Sequence, residues 1–137
     1  MKDRIALLVS ALWWGSLTTI GFLVVPMLFA HLGNPALAGS LAGRLFSAQS
    51  WVSLACGLVL LAYFRSKIQT RVDAPSRISI AWVVVALLLA LLQEYAVAPR
   101  ILARENLRLW HSLGSAMYLG QWLSAGVLLW RLGRREG

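Results

Sequence analysis

Residues 88–104, LLALLQEYAVAPRILAR, decide how this chain is read. An unbroken apolar run from Ile80 to Leu92 leads into a carboxylate, Glu94, then a proline, Pro99, and then Arg100 and Arg104. With its flanks, the segment from Ile78 to Ala98 reads as a membrane-crossing helix, because about 20 apolar residues cover roughly 30 Å of hydrocarbon. Glu94 then stands where hydrocarbon is expected, so it must face other protein groups.

The composition agrees. Of 137 residues, 59% are hydrophobic and 13% charged, whereas soluble domains carry about 25% charged residues. Four apolar runs account for the excess: about 5–31, 45–64, 78–98 and 109–130. None shows the period-two alternation of a barrel strand. The expected fold is therefore all-α, a polytopic membrane protein with a four-transmembrane-helix bundle in one domain, 1–137. Each outer connection is expected to carry a short interfacial helix or turn. Lys2 and Arg4 ahead of the first run mimic a signal peptide, but that run is too long for a signal's apolar region, so it is kept as a helix.

Net charge +8 would suggest nucleic acid in a soluble protein. Here the basic residues sit at the ends of apolar runs, and no basic stripe carries interleaved aromatics, so nucleic acid is not an expected partner. Nine Lys and Arg fall on the side shared by the termini and the second connection, Arg71 among them, and four on the other. The positive-inside rule then places both termini in the cytoplasm and the chain in the cell's inner membrane. Cys56 alone excludes an intrachain disulfide and a CxxCH haem attachment.

Small residues set the expected packing. Ser112, Ala116, Gly120 and Ser124 form one ridge; Ala11, Gly15 and Thr19 form another; Ser53 and Gly57 form a third. Trp13, Trp14 and Trp122 lie too deep for an interfacial belt and are expected between helices. Pro26 is expected to kink the first helix. Asn34 is expected to cap a short helix that begins at Pro35 and either lies at the interface or runs straight into the second span. Pro99 is expected to stop the third helix, with Arg100, Arg104 and Arg108 on one face of a new helical turn.

The polar residues of the spans gather on the side away from the termini. Gln49, Glu94, Arg100, Arg104, His111, Ser115 and Tyr118 are the candidate ligand-binding set, lining a shared outer vestibule. Tyr118 and Gln121 lie about 10–15 Å below His111. Glu94 is expected to find its partner on the fourth helix or on the segment led by Pro99. A structural pairing and a ligand or proton role both remain open for it. His31 and His111 share one leaflet, so they are weak candidates for two metal ligands or for the axial ligands of a haem. The cofactor is otherwise unknown.

Two stretches carry a resemblance. VVPMLFAHLGNPALAGSLAGRLF (24–46) has a proline, Leu-Phe, Ala-Gly and a closing Leu-Phe; VAPRILARENLRLWHSLGSAMYL (97–119) has Pro-Arg, a basic helix and a His with Ser four residues on. Together they resemble the bacterial branch of the transmembrane-protein-205-like family, a four-helix membrane domain of unknown function. That resemblance points to Pro26, Phe29, Gly39, Phe46, Pro99, Arg100, His111 and Ser115. The chain departs from the pattern at Tyr118 and Leu119, where an Asn is expected.

No nucleophile–base–orienter set stands out, which leans away from an enzyme. Three readings follow: a non-enzymatic scaffold or accessory bundle whose partners are the bilayer, a second copy or other membrane proteins; binding or transport of a small molecule, lipid or metal ion at the vestibule; and a haem- or quinone-linked redox protein using His31 and His111.

Overall fold

The computed structural model describes residues 1–70 and 74–136, so Arg71 lies outside the described residues. Among the described residues the chain is all-helical. Helix α1 (Lys2–Thr19) continues through a π-helical turn (Ile20–Val24) into α2 (Val25–His31). Helix α3 runs unbroken over Pro35–Thr70. Helix α4 (Ala74–Leu92) continues through a second π turn (Gln93–Val97) into α5 (Ala98–Leu102), and α6 covers Leu107–Glu136.

These elements make four rods. Three of them, Lys2–His31, Pro35–Thr70 and Pro75–Leu102, are long and apolar enough to cross a membrane. The rod formed by α6 has 30 residues, about 45 Å at 1.5 Å per residue. Its Ser, Gly, Gln and Arg content leaves it more polar than the others. The rods pack as a ring: α1 against α3 and α6, and α4 against α3 and α6.

The surface explains why this shape suits lipid. Leu8, Leu12, Phe22, Leu58, Leu88, Leu123 and Trp130 point outward, while Ser10, Gln49, Ser53, Gln121 and Ser124 are buried. Polar groups inside and apolar groups outside invert the order of a water-soluble fold. The buried face of α1 reads Ala6, Ser10, Trp13, Leu17, and that of α6 reads Tyr118, Gln121, Ala125, Leu128, Leu132. Both follow the three-and-four spacing of helices wound together.

The small-residue ridges are used in part. Gly57 admits Leu87 of α4, and Gly120 admits Leu89 of α4. Ser112 and Ala116 are exposed instead, as are Ala11 and Thr19, and nothing stands over Gly15. The first rod packs through the neighbouring stripe because Trp13 and Leu17 bury far more area than Ala11 and Thr19 would.

Both prolines sit inside rods rather than at their ends. Pro26 and Pro99 each occupy the second position after a π turn. A proline clashes with the carbonyl four residues back and lacks an N–H; widening that turn by one residue removes the clash and keeps the rod continuous. Pro99 therefore does not stop the third helix. The stop comes later, where Arg104 (φ 55°) and Asn106 (φ 35°) adopt left-handed backbone. That turn also breaks the expected arginine ridge: Arg100 lies on α5, Arg104 in the turn and Arg108 on α6, so the three share no helical face.

At the first connection Gly33 takes φ 66°, and the Asn34 side-chain oxygen accepts from the N–H groups of Ala36 and Leu37 at 3.1 and 3.3 Å. The capped helix runs directly into the second span. Polar clasps tie the rods at the end that carries the termini. Asp3 accepts from Tyr63 and pairs with Lys67 at 2.8 Å. Arg131 donates to Ser79 and to the Pro75 carbonyl. These contacts place the N-terminus, the end of α3, the start of α4 and the end of α6 together.

Candidate functional site

The buried polarity of the bundle forms a layer near the middle of the rods. On α1, the Trp13 indole N–H donates to Ser53 of α3 at 3.0 Å, and both side chains are fully buried. One turn on, the Gln49 amide donates to Ser16 at 3.0 Å, and Ser16 donates in turn to the Trp13 carbonyl. From α6, the Trp122 indole donates to Thr18 at 2.9 Å, and Gln121 donates to Gln93 at 2.7 Å. Apart from the bond from Ser16 to Trp13 within α1, each of these joins two different rods. Trp13, Gln49, Trp122 and Gln121 thus find their partners on a neighbouring helix, whereas Ser50 and Ser124 bond a carbonyl of their own helix and the buried Ser10 hydroxyl has no hydrogen-bond partner among the described residues.

The π turns shape the layer. In the first, Tyr118 of α6 donates its hydroxyl to the Leu17 carbonyl, and the Gly21 amide faces the same hydroxyl. Residues 17 and 21 are normal partners in a helical ladder, so the hydroxyl is spliced between them. Glycine is required there, because a Cβ on Gly21 would lie 2.3 Å from Cε1 of the Tyr118 ring. Phe46 of α3 holds the ring from the other side, edge-on, at 5.2 Å.

In the second π turn, Glu94 is half-buried, and Ser47 of α3 sets its hydroxyl 2.9 and 3.1 Å from the two carboxylate oxygens. The partner thus comes from the second span, not from the fourth helix or the Pro99-led segment. A π turn inserts one residue, which turns everything beyond it by about 100° relative to a straight helix. The direction read from a regular helix does not survive that rotation.

The seven residues predicted as one vestibule divide into two groups. Gln49 and Tyr118 are buried and Glu94 half-buried, all in the mid-rod layer. Arg100, Arg104, His111 and Ser115 are exposed at or toward the end away from the termini, beyond the second π turn. There the Arg100 guanidinium stacks 4.4 Å over the Trp110 ring. His31 is exposed as well, and among the described residues no group of three His, Cys, Asp or Glu side chains is placed to hold a metal ion. The sequence reading passed over Ser16, Thr18, Gly21, Ser47 and Gln93. Gln93 had a signal, being the first polar residue after the longest apolar run. The small hydroxyl residues had none, since serine and threonine are common in membrane helices of every kind.

The division has a measurable consequence. Arg104→Ala and His111→Ala are expected to change stability by less than about 0.5 kcal/mol, as at other exposed positions. Gln121→Ala, which strands the Gln93 amide, is expected to cost about 1–3 kcal/mol. Denaturation in mixed detergent–SDS micelles separates the two outcomes.

No curated protein and no solved structure matches the chain. A family model described as a domain of unknown function (DUF4149) matches residues 8–109. That stretch takes in most of the first rod, the second and third rods, both π turns, Gly21 and Glu94, and the chain belongs to this family.

Proposed function

We propose that the protein is a non-enzymatic accessory bundle of the cell's inner membrane. All four rods cross, α6 included, with both termini in the cytoplasm. The observation that carries the reading is the use of the interior polarity. Trp13, Gln49, Tyr118, Gln121 and Trp122 are each bound to a different rod, so they hold helices in register and are not presented to a substrate. The excess of basic residues at the termini side supports the orientation. The Pro26 and Pro99 segments quoted above support a relation to the transmembrane-protein-205-like branch.

Two measurements test this. Reporter fusions at either end should show cytoplasmic activity at both; a periplasmic C-terminus would mean that α6 does not cross. Native mass spectrometry from lipid nanodiscs should show a stoichiometric complex with a second copy or another membrane protein, and a strictly lone monomer overturns the accessory role.

A second reading, binding of a small ligand or ion in the same layer, is favoured by one group. Glu94 is a carboxylate whose partner is a neutral hydroxyl.

A further inference from the structure

The two halves of the chain repeat one device, and they differ at one point. In the first half, the Val25 N–H reaches back five residues to the Ile20 carbonyl, and Pro26 has no N–H to offer. The next carbonyl in line, that of Gly21, therefore lacks a helical donor. In the second half the Ala98 N–H reaches the Gln93 carbonyl, and Pro99 again has none. The carbonyl left over belongs to Glu94. Gly21 and Glu94 are thus equivalent positions, each the second residue of its π turn.

The halves fill that position differently. At Gly21 a neutral aromatic from α6 occupies the space, and its hydroxyl is tied to Leu17. At Glu94 the helix itself supplies a carboxylate, with the Ser47 hydroxyl against both oxygens. The ion pair between Lys67 and Asp3 lies at the far end of the bundle; among the described residues no Lys or Arg nitrogen lies within 4.0 Å of the Glu94 carboxylate. A carboxylate beside a neutral hydroxyl keeps oxygen lone pairs that a cation can take up.

We propose that the Glu94 carboxylate and the Ser47 hydroxyl form a binding site for one monovalent alkali-metal cation, with the unpaired Glu94 carbonyl as a further oxygen donor. The reading rests on the ligand-site alternative above and names its ligand. The donor chemistry sets the class. All the donors are hard oxygens, which suit alkali and alkaline-earth ions rather than soft metals. A single carboxylate neutralises a single positive charge; divalent sites built from protein use several. Carbonyls freed where a membrane helix departs from regular geometry are general ligands for such ions. The half-buried position of Glu94 leaves it reachable from outside the bundle.

The test uses the full chain in lipid nanodiscs. Thermal unfolding is followed by tryptophan fluorescence in choline chloride, and then with sodium, potassium or lithium chloride replacing choline at constant chloride. A saturable rise of several degrees in the unfolding midpoint with at least one alkali ion is expected, because a ligand bound only to the folded state stabilises it. Glu94→Gln should abolish the rise, and Ser47→Ala should raise the half-saturating concentration by about tenfold. Sodium-23 NMR line broadening on the wild type, displaced by potassium or lithium, provides a readout that does not need the Gln variant to fold. Equal midpoints in choline and every alkali salt, or a Glu94→Gln variant that keeps the shift, would overturn the site. So would stabilisation by acid alone, which makes a proton the occupant. A small organic ligand whose binding is lost in Glu94→Gln, with no alkali response, would sink the cation and leave the broader ligand-site reading standing.

Discussion

Gly21→Ala is expected to lower the unfolding free energy by about 2–5 kcal/mol, although alanine is the better helix former by about 1 kcal/mol. The sign is decided by contact. The new methyl would stand 2.3 Å from Cε1 and 2.9 Å from Cζ of Tyr118. Those are ring atoms of a buried side chain, clamped between α1 and Phe46, so no flexible tip can swing aside. Relieving the overlap means withdrawing the ring, and withdrawal costs the hydroxyl its bond to Leu17 and its contact with the Gly21 amide, while the Leu17 carbonyl keeps the Ile20 N–H. Overpacking and lost hydrogen bonding therefore add in the same direction. Equilibrium unfolding in mixed micelles measures the loss, and a double-mutant cycle assigns it. If the clash is the cause, adding Gly21→Ala to a Tyr118→Ala background should cost almost nothing further. A Gly21→Ala protein as stable as the wild type would show that the hydroxyl is not spliced into the first rod.

Trp13→Ala is expected to cost about 3–5 kcal/mol, the range for deleting a large aromatic from a packed core. Trp13 is fully buried and contributes the widest side chain to the interior. The finer expectation concerns its N–H. Ser53→Ala leaves that donor buried and unmatched, at about 1–3 kcal/mol. Trp13→Phe leaves the Ser53 hydroxyl instead, which can turn back to a carbonyl of its own helix and so escapes most of that penalty. Of the two partners, losing the acceptor is therefore expected to exceed the hydrogen-bond part of losing the donor. A double-mutant cycle over Trp13→Phe, Ser53→Ala and the pair isolates the bond from the change in ring volume; a coupling energy of zero would mean that the bond contributes nothing.

These predictions concern positions of unequal visibility. Trp13 announced itself: a tryptophan too deep for the interfacial belt has to pack between helices, and it does, against Ser53. Gln49 and Tyr118, candidates for ligand binding in an outer vestibule, are buried in the mid-rod layer. Arg100 shares the outer side with Glu94 in the sequence pattern, although six residues put the two on different faces of a straight helix. In the folded chain a π turn and a proline intervene, and the arginine lies over Trp110 at the end of the bundle. Gly21 was invisible, since one glycine in an apolar helix signals nothing until the ring that needs its space is known.

What residues 1–137 determine unaided is the class of structure. Hydropathy adds up residue by residue along a local segment, so three rods fit to cross a membrane follow from composition and length. The glycine and asparagine at the first connection likewise follow from local backbone chemistry. Which groups meet was decided only by the tertiary structure. Contact depends on the depth and rotation of each rod, and two π turns, each triggered by a proline six residues beyond its start, rotate the segments that follow by about 100°. That rotation brings Tyr118 to Gly21, while the Ser47 hydroxyl from α3 meets the second π turn at Glu94. Both depend on one additional residue per helical turn, and no periodicity in the chain registers it.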